Sequence, residues 1–356
     1  MSTPDAAAAA ILEQLPASLT IHPQQIDLLR DAVMLIQVPL AAFAEASFLD
    51  RRLIGRETPA GWFSWEQLAA RMTNRPAESA AHYIFHVGHC GSTLVSRLLG
   101  DVGVLPLREP LPLRTLAEIQ SELGAPECRW NETTFTQRLS LLASLFDRGE
   151  GARAVKATSF CNDLAAPLLD AAPERRATIV YSPLRAYLAN VLVGPNSRLD
   201  LLSAAPMRIR RLAARIGEPA GRLSQMSQGV LSAMSWATET SALAAVVDGY
   251  GGRVLRIDFD QWLADVMAGL RSLADHVVAG VPDDRIAAAI SGPSLRQYSK
   301  APEHAYDADL RRRVLEDGER QFGDEIRAGI AWCERVAREA PEVARALDLF
   351  DTAHGR

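Results

Sequence analysis

The run His82-Tyr83-Ile84-Phe85-His86-Val87 leads straight into Gly88-His89-Cys90-Gly91-Ser92-Thr93, after which Leu94, Val95, Leu98 and Leu99 return at helical spacing. A β-branched and aromatic run halted by glycine reads as a strand, and the apolar spacing beyond it as a helix. A strand entering a helix through a glycine-bearing turn restricts the fold: the first helical N–H groups must face whatever rests on the loop. Further short apolar runs stand at 152–156, 177–181 and 254–259, with helical segments between them, one spanning about 222–247. Strands alternating with helices predict an α/β fold, a three-layer arrangement with a central parallel sheet flanked by helices.

Ahead of that pattern, Ile26, Leu29, Val33, Ile36 and Leu40 recur at helical spacing around Pro39, and a short helix is predicted near 65–71. Asn74-Arg75-Pro76-Ala77-Glu78-Ser79 reads as a boundary. The expectation is an all-helical N-terminal cap, residues 1–78, before an α/β domain at 79–356. With 38 Lys+Arg against 43 Asp+Glu the formal charge is −5, which argues against a broad nucleic-acid or anionic-membrane surface. A hydrophobic share of 48% is too high for a disordered chain. Cys90, Cys128, Cys161 and Cys333 lie far apart with no Cys-x-x-Cys pair, so neither a zinc module nor a disulfide scaffold is expected. No charge-free apolar stretch reaches about 18 residues, so no membrane span is expected. Residues 1–10 lack the basic start of a signal peptide, and the expected location is the cytoplasm.

Two glycines between strand and helix let the backbone approach an anion closely, and Ser92 and Thr93 sit where a hydroxyl caps the helix or meets a phosphate oxygen. The plainer alternative is a tight turn with a serine cap. A nucleotide-hydrolase loop needs Gly-x-x-x-x-Gly-Lys-Ser/Thr; here Gly91 is followed by Ser92, and the gap from Gly88 is shorter. Phe85 to Leu94 resembles the 5′-phosphosulfate loop of the sulfotransferase family, which reads Pro-Lys/Arg-Ser-Gly-Thr/Ser-Thr after its first strand. The resemblance covers roughly 81–314 and is carried chiefly by this loop. It implies a P-loop α/β fold and 3′-phosphoadenosine-5′-phosphosulfate (PAPS) as co-substrate. It implies in-line transfer of a sulfuryl group to a hydroxyl or amine, with no metal. Gly88, His89, Cys90, Gly91, Ser92 and Thr93 would then hold the donor. The departures are Gly88 for proline, Cys90 for serine, and His89 where the family carries lysine or arginine. An imidazole of ordinary pKa about 6.5 replaces a permanent charge there.

The same resemblance implies roles elsewhere. Glu109, in Leu107-Arg108-Glu109-Pro110, is the expected general base, with Arg108 structural. Lys156, closing the run Ala152-Arg153-Ala154-Val155-Lys156, is the expected cation at the transferring sulfuryl, assisted by His89. Ser182-Pro183-Leu184-Arg185 through Asn190 resembles the 3′-phosphate segment, with Arg185 supplying charge and Asn190 standing in the serine position. Lys300 in a late basic loop would close over the 3′-phosphate, and His304 reads as a surface histidine. Arg208, Arg210, Arg211, Arg215 and Arg222 read as a solvated helix face, and a long Arg/Glu-rich helix over about 310–338 as an exposed amphipathic cover. The expected acceptor is a small molecule or peptide, with no nucleic-acid partner. Two rival readings stand: a small-molecule kinase with an atypical loop, and a non-catalytic nucleotide-binding or scaffold protein.

Overall fold

A computed structural model describes residues 4–73, 81–296 and 308–351. The N-terminal part runs α1 (Pro4–Gln14), β1 (Ile21–Asp27), β2 (Ala32–Gln37), α2 (Leu40–Glu45), β3 (Ala60–Ser64) and α3 (Trp65–Met72). Next come β4 (His82–His86), α4 (Ser92–Asp101), β5 (Leu105–Arg108), α5 (Leu111–Gln120), α6 (Glu132–Phe146), β6 (Arg153–Lys156), α7 (Ala165–Asp170) and β7 (Ala177–Tyr181). The remainder is α8 (Leu184–Val193), α9 (Pro195–Ile216), α10 (Gln228–Tyr250), β8 (Val254–Asp258), α11 (Phe259–Ala264) and α12 (Val266–Val277). It closes with α13 (Asp283–Ser291), α14 (Pro293–Arg296), α15 (Ala308–Ala337) and α16 (Pro341–Phe350). The central sheet has five strands in the order β5-β6-β4-β7-β8, with β5, β6 and β4 parallel. The expected α/β architecture with a helix-flanked parallel sheet is observed.

The expected all-helical N-terminal cap is not. Residues 21–64 hold an antiparallel sheet of order β1-β2-β3. Its first hairpin explains the misreading. The Asp27 carboxylate accepts the N–H groups of Leu29 and Arg30 at 2.8 and 3.0 Å, and Asp31 takes a left-handed φ of 52°. Side-chain capping of this kind makes a turn where periodicity alone favours a helix. Ile26 and Val33, seven apart and apparently one helical face, are instead cross-strand partners, while Leu29 at the turn is 83% exposed. The short helix expected near 65–71 does form. It opens on a reciprocal cap in which Ser64 accepts from the Gln67 N–H and Gln67 from the Ser64 N–H.

The chain divides into two compact units. The first comprises Met1–Ile84, Thr93–Thr178 and Leu270–Ala289, so the N-terminal sheet belongs with β5 and β6. Buried arginines tie it there. Arg108 donates to the carbonyls of Phe43 (3.0 Å) and Ala46 (2.8 Å), and Arg148 to that of Leu15 (2.8 Å). Burial brings the Arg108 guanidinium down to about 10, with Arg97 adding to it. His22 lies edge-on to Phe43, and burial, helped by Arg148, pushes it down to about 3. His82, bonded through Nε2 to Thr178 Oγ1 at 2.8 Å and edge-on to His276, is also held well below the ordinary histidine value by burial.

The second unit comprises Phe85–Ser92, Ile179–Gly269 and Ile290–Arg356. Helix α15 is amphipathic as expected, with Arg312, Arg320, Asp324 and Arg327 exposed and Gly318, Ile326 and Trp332 buried. Gly318 meets α8 so closely that a Cβ there would lie 2.3 Å from the Ala189 carbonyl oxygen, and one on Gly229 of α10 would lie 1.9 Å from that of Glu325. Helices approach this closely only where glycine removes the side chain. Gln228–Arg253 is, among the described residues, the one helix long and apolar enough to cross a membrane, and 78% of its apolar window is buried within the protein.

Candidate functional site

In the second unit the loop after β4 is shaped by three left-handed residues, Gly88 (φ 81°), His89 (φ 51°) and Gly91 (φ 79°). The Gly88 N–H donates to His86 Nδ1 at 3.0 Å, and the Cys90 thiol donates to the Val180 carbonyl at 3.2 Å. Asn190 Nδ2, from α8, holds the His89 carbonyl at 2.8 Å. Gly91 admits no side chain, since a Cβ there would stand 2.1 Å from the Phe259 ring. The loop is pinned from β4, β7 and α8, and α4 begins directly at Ser92. Its first N–H groups have no intrahelical acceptor and carry the positive end of the helix dipole, the arrangement that holds an anion. Cys90 and Asn190 were expected as donor ligands; in the structure both make backbone hydrogen bonds that set the loop's shape.

His89 is the loop's one chargeable side chain, and α9 grips it. Its Nδ1 lies 3.2 Å from Ser197 Oγ and its Nε2 3.2 Å from Asp200 Oδ2. Of the arginines expected on a solvated face, Arg210 and Arg222 are exposed, while Arg208 and Arg211 are buried in a network. Glu239 of α10, fully buried, accepts from Arg208 at 2.9 Å and from Arg211 at 3.0 and 3.1 Å, while Arg215 donates to the Thr238 carbonyl at 2.9 Å. Paired charges tolerate burial that single ones do not, which is why a run of arginines turns inward here. The sequence does hold a signal for this: Glu239 is the single charged residue from Gly229 to Val247. A lone carboxylate in so apolar a helix requires a cationic partner.

At the end of β7 lies the segment expected to meet the 3′-phosphate. Arg185 is half-exposed and pairs with Glu319 at 3.1 Å. The buried cation bonded to Ser182 is Arg311 of α15, whose Nη2 lies 3.3 Å from Ser182 Oγ and whose Nε donates to Asp260 at 2.7 Å. Its guanidinium stands 5.8 Å over Phe259, the ring that closes on Gly91. Burial lifts the Asp258 carboxyl above its ordinary value, and this residue caps the helix carrying Phe259 and Asp260. Arg311 lies 129 residues from Ser182, and no local motif announces it. Lys300 and His304 lie outside the described residues.

In the first unit Glu109 and Lys156 come together. They end adjacent parallel strands in register, Arg108 opposite Lys156, and the Glu109 N–H donates to the Lys156 carbonyl at 2.6 Å. Lys156 Nζ donates in turn to Glu109 Oε1. The lysine side chain is 1% exposed and the glutamate 21%, so solutes reach the carboxylate first. Glu109 also takes a left-handed φ of 52°, a conformation unusual for glutamate. Lys156 is in register with Ile84 of β4, four residues before Gly88. Arg52, hydrogen-bonded to Asp50, feels the Glu109 charge from the N-terminal segment. Among the described residues no group of three or more His, Cys, Asp or Glu is placed to hold a metal ion.

No family model matches the chain, and no curated protein matches its sequence. Solved structures similar to it include the sulfotransferase domain from the curacin biosynthetic pathway, at 13% identity and TM-score 0.37, covering 67% of this chain and 88% of that one. The sulfotransferase domain from the Synechococcus PCC 7002 olefin synthase is 14% identical at TM-score 0.36, with 68% and 87% covered. Sulfotransferase STF9 from Mycobacterium avium is 11% identical at TM-score 0.34, with 90% and 97% covered.

Proposed function

We propose that this chain is a transferase that moves a sulfuryl group from PAPS to a hydroxyl or amine of a small-molecule or peptide acceptor. The observation that carries the reading is the loop itself. Gly88, His89 and Gly91 all turn left-handed between a buried strand and the start of α4, whose first backbone N–H groups lack intrahelical acceptors, and the Phe259 ring packs against Gly91. That cradle suits the 5′-phosphosulfate, with Ser92 and Thr93 adding hydroxyl donors and His89 a switchable charge. Ser182 and Arg311 are the groups we assign to the 3′-phosphate, in place of Arg185.

PAPS supplies an activated sulfuryl group whose bond to the phosphate oxygen breaks as the acceptor oxygen or nitrogen bonds to sulfur. Glu109 is assigned the acceptor's proton, being the solute-reachable member of its pair. Lys156 is assigned a sulfuryl oxygen, where a fixed positive charge counts most as negative charge develops. The leaving bisphosphate keeps the electron pair of the broken bond, and the loop N–H groups and His89 offset its charge.

Calorimetry with adenosine-3′,5′-bisphosphate tests the reading. Binding without Mg²⁺ is expected. Absence of binding both in the wild type and in His89→Lys would sink the proposal, and Mg²⁺-dependent preference for ATP would replace it with a kinase. Bisphosphate binding with turnover indifferent to Glu109→Gln would leave a nucleotide-binding protein without this chemistry.

A further inference from the structure

We propose that residues 48–52 form the acceptor side of the Glu109 site, with Arg52 selecting acceptors that carry a carboxylate or another oxyanion beside the hydroxyl or amine to be modified. This rests on Glu109 taking the acceptor's proton, and it names the class of molecule from which that proton comes.

Backbone bonds place the segment beside the base. One trans peptide joins Arg108 to Glu109, and its two polar groups point to opposite sides. Its N–H reaches the Lys156 carbonyl at 2.6 Å, and its carbonyl accepts the Leu49 N–H at 2.7 Å. The segment around Leu49 therefore lies on the edge of β5 that faces away from β6. The Arg108 side chain, 1% exposed, adds a second tie by donating from Nε to the Ala46 carbonyl and from Nη2 to those of Phe43 and Ala44. Arg97 of α4 reaches Ser47 Oγ at 3.4 Å.

What the segment offers a solute is a set of donors. Asp50 caps the 3₁₀ turn Arg51–Leu53 by accepting the Arg52 N–H at 3.0 Å. Its oxygens also accept from Arg52 Nε at 2.9 and 3.0 Å and from Nη2 at 2.6 Å. These contacts occupy the roughly four lone-pair sites of the carboxylate. The guanidinium keeps the hydrogens of Nη1 and one of Nη2, which meet no acceptor among the described residues. That edge is the fork that takes a carboxylate or phosphate in two parallel hydrogen bonds. Its carbon lies 5.1 Å from the Phe48 ring centre, yet the side chain is 68% exposed. An exposed arginine held by a ring and a carboxylate has already given up freedom that binding would otherwise cost.

Local charge agrees. The Asp50 hydrogen bond raises the Arg52 pKa and Glu109 adds to the rise, which puts base and guanidinium within electrostatic reach. Glu109 is paired with Lys156, and Asp50 with Arg52. Arg97 and Arg108 stand behind the segment as two further cations, with Asp101 acting on Arg108 against them. An acceptor spanning the two groups would set its anion on Arg52 and its hydroxyl or amine on Glu109.

Matched compounds test this: 4-hydroxyphenylacetate against 4-hydroxyphenylacetamide, and 4-aminobutyrate against 4-aminobutanamide. With PAPS, the wild type should favour the acid of a pair by about tenfold or more in kcat/KM, expressed in KM. Arg52→Gln, which keeps donors without the charge, should erase that preference, and Arg52→Lys should restore part of it. A merely structural Arg52 would slow acid and amide alike. Saturation-transfer NMR of the same compounds at millimolar concentration, without PAPS, should show the acids binding the wild type and weakening in Arg52→Gln. Wild-type indifference to the acid overturns the proposal, as does an acid preference that survives Arg52→Gln or failure of both acids to bind. Binding that follows Arg52 with no sulfuryl transfer overturns instead the transferase reading and leaves an anion site on this segment.

Discussion

Each unit sets an acid against a base where a strand ends or has just ended, and the two do it in opposite ways. In the first, Glu109 and Lys156 are locked by strand register: backbone bonds to backbone and side chain to side chain, with the lysine wholly buried. In the second, His89 and Asp200 meet across a loop and a helix, with the carboxylate more than half exposed. Register makes a permanent charge in a fixed place. A loop gripped by a helix leaves its pair open to solvent.

The largest effect expected is at the locked pair. Glu109→Gln keeps the shape and an acceptor for Lys156 but takes no proton, so turnover should fall about a hundredfold to ten-thousandfold with bisphosphate affinity little changed. Retained turnover would reduce the pair to a structural bolt and erase the contrast. Next comes the support beneath the solvent-open pair. Glu239→Gln leaves Arg208 and Arg211 buried without a counter-charge and should destabilise the chain by about 3–5 kcal/mol in urea melts. A loss under about 1 kcal/mol would mean that α9 is anchored otherwise.

Acid sharpens the comparison from the other side. His22 and His82 titrate lower folded than unfolded, so the unfolded chain takes up protons first. Their stabilisation is whole above the unfolded value of about 6.5 and is lost as pH falls toward the folded values, for His22 about 3. Each should remove about 1.4 kcal/mol per pH unit inside its window, and His22→Phe should flatten the slope by its own share. Urea midpoints at pH 7 and 5 check this. Such a loss belongs to the first unit's interior. A melt insensitive to acid would contradict both burials.

The smallest effect concerns Arg185. As half of a surface pair with Glu319 it should contribute at most about 1 kcal/mol, and Arg185→Ala should leave bisphosphate affinity nearly unaltered. Arg311→Met should weaken it far more. Reversal of that order would return the 3′-phosphate to α8.

What the sequence disclosed follows the range of the interactions involved. The β4 strand, its glycine turn and α4 were legible because each is a local pattern with one reading. Lys156 and Glu109 were legible because strand ends gather on one edge of a parallel sheet. The β1–β2 hairpin was hidden because Ile26, Val33 and Ile36 satisfy a helical period by accident while a single Asp27 side chain decides otherwise. Arg311 was hidden because its partners, Ser182 and Asp260, are distant in the chain and neither implies an arginine. Asp200 and Ser197 stand 111 and 108 residues from His89, and no local motif links them to it.

The left-handed backbone at His89 bears on which amino acids the position accepts. Histidine, asparagine and aspartate enter that conformation more readily than most residues, whereas a long unbranched side chain meets a penalty of order 1–2 kcal/mol. A lysine or arginine at this point would carry backbone strain into the loop. The imidazole meets the torsional demand and still offers a ring nitrogen to Asp200 at 3.2 Å. In a loop folded this way, the side chain at position 89 is chosen by its own φ angle as much as by its neighbours.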